Sequence, residues 1–212
     1  MSEEIVIWGA SGHGRVVLDA ANASGLSVLG FLDDNPILAA GSFAGRPVLG
    51  GREQLDALRT RGVDSLHVAI GDCAARLKIS SLARAQGFSL HTIMHPRSVV
   101  AADASIGAGS FVAANAVVSS GSTVGDSVIL NTACSVDHDC VIGDGVHIAP
   151  GVRLGGLVHI DRGAFIGIGS TVLNCLRVGE HSTVGGGAVV VRDLPAGVVA
   201  YGVPARIMRR NA

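Results

Sequence analysis

An aliphatic residue recurs at every sixth position through the second half of the chain. Sixteen consecutive positions carry it without an insertion: Val100, Ile106, Val112, Val118, Val124, Leu130, Val136, Ile142, Ile148, Leu154, Ile160, Ile166, Val172, Val178, Val184 and Val190. A small or apolar residue follows four positions after almost every one of them. A period of six fits neither an α-helix nor an alternating strand. It predicts a parallel β-helix of short strands and turns, with both positions of each repeat pointing inward.

This register assigns a direction to the polar residues of "NTACSVDHDCVIGDGVHIAPGV". Cys134 and Cys140 occupy inward positions, which predicts core residues rather than nucleophiles. His138 lies two residues after the inward Val136 and therefore points outward. His147 lies five residues after an inward position, so it points outward or lies at a corner.

The first part of the chain alternates strand and helix patterns. "EIVIW", "SVLGFLDDN" and "LHVAIGD" have the composition of strands, and the segments between and after them favour helices, which predicts a small parallel α/β domain. The turn "GASGHG" lacks the spacing of the dinucleotide fingerprint, but its backbone N–H groups and the following helix N-terminus can hold a phosphate. Asp33 and Asp34 lie where such sheets bind nucleotides. A tight turn followed by a solvated acidic loop is the alternative.

The composition and net charge argue against several classes of binding partner and ligand. The net charge of −1 gives no electrostatic basis for binding nucleic acid or an anionic membrane. No apolar run reaches the ~18 residues that span a bilayer, and the N-terminus has no signal-peptide pattern. Four cysteines without a close pair predict reduced thiols in a cytoplasmic protein. The histidines and aspartates lack zinc-ligand spacing, so no metal is expected.

Several segments together resemble one family, the PglD/NeuD-like sugar acetyltransferases of the hexapeptide-repeat superfamily. They are "IWGASGHGRVVLD", "GFLDD", "VAIGD", "HPRSVV", "NTACSVDHDCVIGDGVHIAPGV" and "YGVPAR". The resemblance implies a Rossmann-like domain over residues 1–95, a left-handed β-helix with eighteen-residue coils over 96–194, and a closing segment over 195–212. It also implies a homotrimer with active sites between subunits, acetyl-CoA as donor, and a nucleotide-linked 4-amino-4,6-dideoxyhexose as acceptor. UDP is the first expectation for the nucleotide, and GDP and dTDP are alternatives.

The chemistry of acetyl transfer and the family resemblance give the catalytic candidates. His138 is expected to accept the amine proton, with Asp139 orienting the imidazole. The family often has Glu at position 139, so the shorter Asp139 raises the question whether it reaches His138. His147 is expected to donate a hydrogen bond to the substrate or acetyl group. Gly156, one coil above His138, leaves an open slot and offers a backbone N–H to the thioester oxygen.

The resemblance also suggests which residues bind the two substrates. Acetyl-CoA is expected at Ile168, Asn174 and Gly186, and the C-terminal Arg206, Arg209 and Arg210 form either a CoA phosphate contact or a solvated tail. The nucleotide sugar is expected at Gly12, His13, Gly14, Asp33, Asp34 and Gly71.

Two other functions are compatible with the sequence. One is an O-acetyltransferase that acts on a sialic-acid-like sugar with the same base. The other is a β-helix protein that binds a sugar nucleotide without catalysis, although the outward His138 beside Asp139 argues against it.

Overall fold

Residues 4–211 are described in the computed structural model of the chain, and they begin with a parallel four-stranded sheet of order β2-β1-β5-β6. Its elements are β1 Glu4–Trp8, α1 Gly12–Ala23, β2 Ser27–Leu32, β3 Ser42–Phe43, β4 Arg46–Pro47, a 3-10 turn Arg52–Gln54, α2 Leu55–Thr60, β5 Ser65–Val68, α3 Cys73–Ala85 and β6 Ser89–Leu90. The small α/β domain expected from the sequence is therefore present.

The rest of the chain forms a coil of two-residue strands that makes about six turns. In chain order the strands are β7 Ile93–Met94, β8 Val99–Val100, β9 Ser105–Ile106, β10 Phe111–Val112, β11 Val117–Val118, β12 Thr123–Val124, β13 Ile129–Leu130, β14 Ser135–Val136, β15 Val141–Ile142, β16 His147–Ile148, β17 Arg153–Leu154, β18 His159–Ile160, β19 Phe165–Ile166, β20 Thr171–Val172, β21 Arg177–Val178, β22 Thr183–Val184, β23 Val189–Val190, β24 Val198–Tyr201 and β25 Arg206–Arg210.

Every third strand pairs in parallel with the strand one coil away, which produces three flat faces. The first face, called the docked face, contains β7, β10, β13, β16, β19 and β22 and ends with β24 and the antiparallel β25. The second face runs from β8 to β23, and the third face from β9 to β21. These are the faces of a left-handed β-helix, in agreement with the parallel β-helix predicted from the period of six and with the hand implied by the family resemblance. Strand β7 already pairs with β10, and the domain division at residues 95 and 96 stays a prediction.

The interior of the β-helix follows the sequence pattern. All sixteen aliphatic positions are buried except Val100 and Ile106, which lie in the first coil and are only partly covered. Cys134 and Cys140 are buried among them, which confirms their expected role as core residues. Burial raises the pKa of the Cys134 thiol to about 12, so this sulfur stays protonated and unreactive at neutral pH.

The small domain covers the docked face, and this contact was not foreseen from the sequence. Phe111 and Ile129 point away from the β-helix interior, yet both are fully buried because they pack with Ile5, Ile7 and Val17 of the small domain. Large apolar side chains at outward positions of the repeat therefore mark the face on which the second domain lies.

Arg76 on α3 connects the two domains from a fully buried position. Its Nη1 donates to the Ile70 carbonyl at 2.7 Å, within the small domain. Its Nε donates to the Ser127 carbonyl at 2.8 Å, and its Nη2 donates to the Gly145 carbonyl at 2.7 Å, both in the β-helix. One guanidinium thus satisfies carbonyl groups of both domains, a geometry that the five donors of arginine allow.

We expect the Arg76→Met variant to lose about 3–5 kcal/mol of unfolding free energy, because the carbonyls of both domains lose their donors inside a dry interface. Urea denaturation measures this loss. Arg84→Met is the matched control, since Arg84 lies on the same helix and contacts Asp126 of the β-helix through an exposed ion pair. That pair should contribute at most about 1 kcal/mol. Equal losses in both variants would contradict the anchoring role of Arg76.

Candidate active site

His138 lies in the turn between β14 and β15, at the edge where the second and third faces meet. Its side chain is 56% exposed in the single chain. The turn places Asp137 and Asp139 on either side, and the Asp137 carboxylate accepts a hydrogen bond from the His138 backbone N–H at 2.8 Å. The outward direction predicted for His138 is therefore observed.

Asp139 reaches His138 despite being shorter than glutamate. Its Oδ2 lies 2.9 Å from Nδ1 of the imidazole. This hydrogen bond raises the pKa of His138 above the ordinary value of 6.5, and the charge of Asp137 acts in the same direction. With Nδ1 donating to the carboxylate, Nε2 carries the free lone pair and is the atom that can accept a proton.

Gly156 lies directly against the ring of His138. A Cβ atom built on Gly156 would lie 2.5 Å from Nε2, so any side chain there would occupy the place of the imidazole. The Gly156 N–H donates to no acceptor among residues 4–211. Asn174 and Leu157 line the same open cavity of about 580 Å³. The expected slot is therefore present, with a free backbone donor in its wall.

His147 lies elsewhere, on the docked face, and it is buried beneath the small domain. Its Nδ1 is 3.0 Å from the Gly71 carbonyl oxygen, so this nitrogen carries the hydrogen. Nε2 then accepts from the Asn131 amide at 3.3 Å. Burial lowers the pKa of His147 to about 4, which keeps the ring neutral. In this tautomer Nδ1 donates to Gly71 and Nε2 is an acceptor, and the expected hydrogen bond from His147 to the substrate or acetyl group stays a prediction.

The cavity beside His147 measures about 730 Å³ and is separate from the His138 cavity within one chain. It is lined by Gly71, Asp72, Cys73, Ala74, His147, Gly163, Phe165, His181, Thr183 and Asn211. Cys73 is buried, and its pKa is raised by that burial, so it is not a candidate nucleophile.

His13 faces the β-helix from the first turn of α1. Its ring packs edge-on against Phe111 at 5.4 Å, and its centroid lies 6.3 Å from that of His147. Burial lowers the pKa of His13 to about 3, and its Nε2 has no hydrogen-bond partner among the described residues. A phosphate would therefore meet a neutral imidazole here, through a single N–H donor.

The acidic pair at the end of β2 already has partners within the small domain. Asp33 accepts from the Ala10 N–H at 2.9 Å, and Asp34 forms an ion pair with Arg52 at 2.8 Å. The hydrogen bond from Arg52 lowers the pKa of Asp34. Both carboxylates therefore hold the loops at the carboxyl end of β2, at the predicted nucleotide site.

Gly12 and Gly14 lie in the first turn of α1 and have different surroundings. A Cβ on Gly14 would lie 2.0 Å from the Gly9 carbonyl oxygen, so Gly14 is required by the packing of α1 against the turn. Gly12 has no atom within 4 Å of its Cβ position, which leaves its surface open. Of the two, Gly12 is the one with open space beside it.

Ile168 and Gly186 lie at the opposite edge of the second face from His138. Ile168 follows β19 and is exposed, and a Cβ on Gly186 would lie 3.1 Å from its Cγ2. A single chain therefore does not bring these two residues together with His138. Arg206, Arg209 and Arg210 lie on the exposed strand β25, and both roles expected for them stay predictions.

Two residues of the site were not predicted from the sequence. Asn131 contacts Nε2 of His147, and Arg153 lines the His138 cavity. Asn131 begins the quoted polar stretch, and its position next to an inward leucine was the available signal. Arg153 occupies an outward strand position one coil above Ser135, a placement that follows from the eighteen-residue coil.

A β-helix with an outward histidine against a glycine, docked to a small α/β domain, defines a two-domain hexapeptide-repeat transferase. Two family models match the chain in agreement with this arrangement. The PglD N-terminal domain matches residues 4–82, and the bacterial transferase hexapeptide model of six repeats matches residues 121–156.

Three solved structures are similar over nearly the whole chain. PerB from Caulobacter crescentus, in complex with CoA and GDP-perosamine, is 40% identical with a TM-score of 0.94 and 97% coverage of both chains. The acetyltransferase domain of PglB from Neisseria gonorrhoeae, in complex with acetyl coenzyme A, is 40% identical with a TM-score of 0.92, covering 98% of this chain and all of that one. WeeI from Acinetobacter baumannii is 33% identical with a TM-score of 0.87, covering 96% and 99%.

The chain belongs to the PglD-type family of hexapeptide-repeat sugar acetyltransferases. Its alignments to curated relatives span between 10% and 24% of their length. The match to galactoside O-acetyltransferase of Lactococcus lactis is 36% identical and covers 24% of each chain. Among residues 4–211, none of the helices combines the length and the apolar character needed to cross a bilayer.

We expect Gly156→Ala to displace the His138 imidazole, because the new methyl group would lie 2.5 Å from Nε2. Acetyl transfer should fall by about tenfold or more, since the base leaves its position. The double variant His138→Ala/Gly156→Ala is the matched control. The extra methyl has room there, so its unfolding free energy should equal that of His138→Ala. A stability loss from alanine 156 that persists without the histidine would contradict the contact.

Proposed function

We propose that this protein is an acetyl-CoA-dependent N-acetyltransferase that modifies the 4-amino group of a nucleotide-linked 4-amino-4,6-dideoxyhexose. The observation that carries the proposal is the hydrogen bond of 2.9 Å between Asp139 and Nδ1 of His138, which leaves Nε2 free beside the donor N–H of Gly156. A base and an oxyanion donor side by side are what direct acetyl transfer requires.

The reaction proceeds by direct attack. The sugar amine attacks the thioester carbonyl carbon of acetyl-CoA while Nε2 of His138 takes the amine proton. The Gly156 N–H donates to the oxygen that becomes negative in the tetrahedral intermediate. Collapse of the intermediate breaks the carbon–sulfur bond, and the CoA thiolate takes the proton from the imidazolium. The proposed attack needs no acetyl-enzyme, and the nearby thiols of Cys134 and Cys140 are core residues whose pKa is raised by burial.

The acceptor is proposed to bind at the carboxyl edge of the small domain. Gly12 offers an open backbone surface and His13 a neutral imidazole close to His147. Asp33, Asp34, Gly14 and Gly71 shape the rim around them. The sequence favoured UDP as the nucleotide, whereas PerB was solved with GDP-perosamine, which supports GDP equally. Both are therefore candidates for this chain.

We propose that the active site forms between subunits of a homotrimer. His138 and Gly156 occupy one edge of the β-helix, and Ile168 and Gly186 occupy another, so one chain leaves the acetyl-CoA groove incomplete. Exposed apolar side chains at these edges, Leu157, Leu173 and Ile168, support their burial by a second copy. Asn174 lies on the His138 edge and would line the groove from that side. A cytoplasmic location completes the proposal, in keeping with four free cysteines.

A panel of GDP-, UDP- and dTDP-linked amino and hydroxy sugars, incubated with acetyl-CoA, tests the proposed reaction. We expect mass spectrometry to show one added acetyl group on a 4-amino sugar. His138→Ala should reduce the rate by about 10²–10⁴-fold, the usual contribution of a general base. His159→Ala is the control, since His159 is an exposed histidine on the third face. Full activity of His138→Ala with every acceptor would remove the base assignment.

The pH dependence of the rate tests the role of Asp139. Only the neutral imidazole accepts a proton, so the rate should rise with pH as His138 loses its proton. The raised pKa of His138 places this rise above pH 6.5. In Asp139→Asn the hydrogen bond to a carboxylate is lost, so the pKa of His138 should fall and the rise should move to lower pH, with a reduced maximum rate. An unmoved profile would show that another group titrates.

A further inference from the structure

The turn one coil below Asp139 contains a glycine that its backbone conformation does not require. Gly121 has a φ of 73°, in the left-handed region that usually favours glycine. The same turn position in the next three coils is occupied by Asp139, Leu157 and Cys175, with φ values of 56°, 59° and 60°. Other residues therefore tolerate this conformation in the same column of the β-helix. Backbone conformation alone therefore does not explain the glycine at position 121.

The space above Gly121 supplies the explanation. A Cβ atom on Gly121 would lie 2.4 Å from Oδ1 of Asp139 and 3.4 Å from its carboxyl carbon. The Asp139 carboxylate thus fills the volume that a side chain at position 121 would take. Its other oxygen, Oδ2, is the atom that contacts Nδ1 of His138 at 2.9 Å. The same carboxylate is therefore in contact with the glycine through one oxygen and with the imidazole through the other.

The backbone of the His138 turn is fixed by the residues that flank Gly121. The Ser120 carbonyl accepts from the Asp139 N–H at 3.0 Å. The buried Ser122 hydroxyl donates to the Asp137 carbonyl at 2.7 Å and accepts from the Cys140 N–H at 3.1 Å. Since these bonds hold the turn on both sides of His138, the Asp139 carboxylate is the part that must move if position 121 gains a side chain.

We propose that Gly121 is a positioning residue of the acetyl-transfer reaction, because its missing side chain allows the Asp139 carboxylate to reach the His138 imidazole. The inference rests on the proposed roles of His138 as base and Asp139 as orienting group. It concerns the side of the site opposite Gly156, which contacts the imidazole itself. The other charged groups of the cavity, Asp137 and Arg153, are not displaced by a methyl group at position 121.

The test is the Gly121→Ala variant, studied by kinetics and by NMR titration of the His138 ring. We expect kcat to fall by about tenfold or more, which is part of the 10²–10⁴-fold supplied by a base. The KM for acetyl-CoA should change by less than about twofold, since no CoA contact is lost. The NMR pKa of His138 should fall to the value found in Asp139→Asn.

Gly25→Ala is the matched control for the cost of alanine in the left-handed region. Gly25 has a φ of 75° and no atom within 4 Å of its Cβ position. It should lose stability, as alanine does in this conformation, while keeping the wild-type kcat and the wild-type pKa of His138. A loss of kcat in this variant equal to that of Gly121→Ala would attribute the effect to backbone strain and overturn the inference.

The double variant Asp139→Ala/Gly121→Ala distinguishes a steric clash with the Asp139 carboxylate from backbone strain at position 121. Without the Asp139 carboxylate the new methyl group has no oxygen to displace, so adding Gly121→Ala should change kcat by less than about twofold. If Gly121→Ala does not fold, Gly121→Asn replaces it, because Asn115 adopts a φ of 60° in an equivalent turn and asparagine still carries a Cβ atom.

The outcomes distinguish this inference from the proposed function. A Gly121→Ala protein with wild-type kcat and an unchanged His138 pKa would overturn the positioning role. Full activity of His138→Ala would remove the proposed base, yet the NMR titration would still show whether Gly121 controls the contact between Asp139 and His138.

Discussion

Each residue of the β-helix lies on the residue eighteen positions away, and this stacking decides which side chains have room. Strand pairs such as β14 and β17 keep the register from coil to coil. At the His138 edge, glycines stand at Gly156 and Gly121, where a Cβ would enter the space of the imidazole or of the Asp139 carboxylate. The candidate base is held by hydrogen bonds and by the absence of two side chains in adjacent coils.

A second constraint is the dry layer between the two domains. Arg76 places a guanidinium there and donates to backbone carbonyls and, at 3.7 Å, to the Cys73 sulfur, so the charge is solvated by the protein itself. His13 and His147 lie in the same layer and have pKa values lowered by burial. Both imidazoles are therefore neutral at pH 7 and add no positive charge to this layer. The predicted nucleotide site therefore offers hydrogen-bond geometry more than positive charge.

The β-helix could be predicted because its inward residues recur with a period of six in the sequence. The aliphatic positions gave the interior of the β-helix, and the outward direction of His138 followed from Val136 two residues before it. The docking of the small domain could not be predicted, since it depends on surfaces distant in sequence. Phe111 and Ile129 could be recognised in the sequence as outward apolar residues, but no local sequence pattern identifies the surface that covers them. The acceptor state of His147 depends on this docking, because its Nδ1 contacts the Gly71 carbonyl, 76 residues earlier.

The anchoring of Arg76 to Ser127 and Gly145 sets how the distance between the small domain and the candidate base can change. Both carbonyls belong to the coils that flank His138, so the small domain and the base share the same coils. Inserting or deleting one residue between them would turn every later inward side chain out of the interior. Only whole coils can be added or removed, each shifting the base by about 4.8 Å along the axis. Under the proposed function, acceptors of different length are accommodated by the loops of the small domain, while the β-helix keeps its spacing.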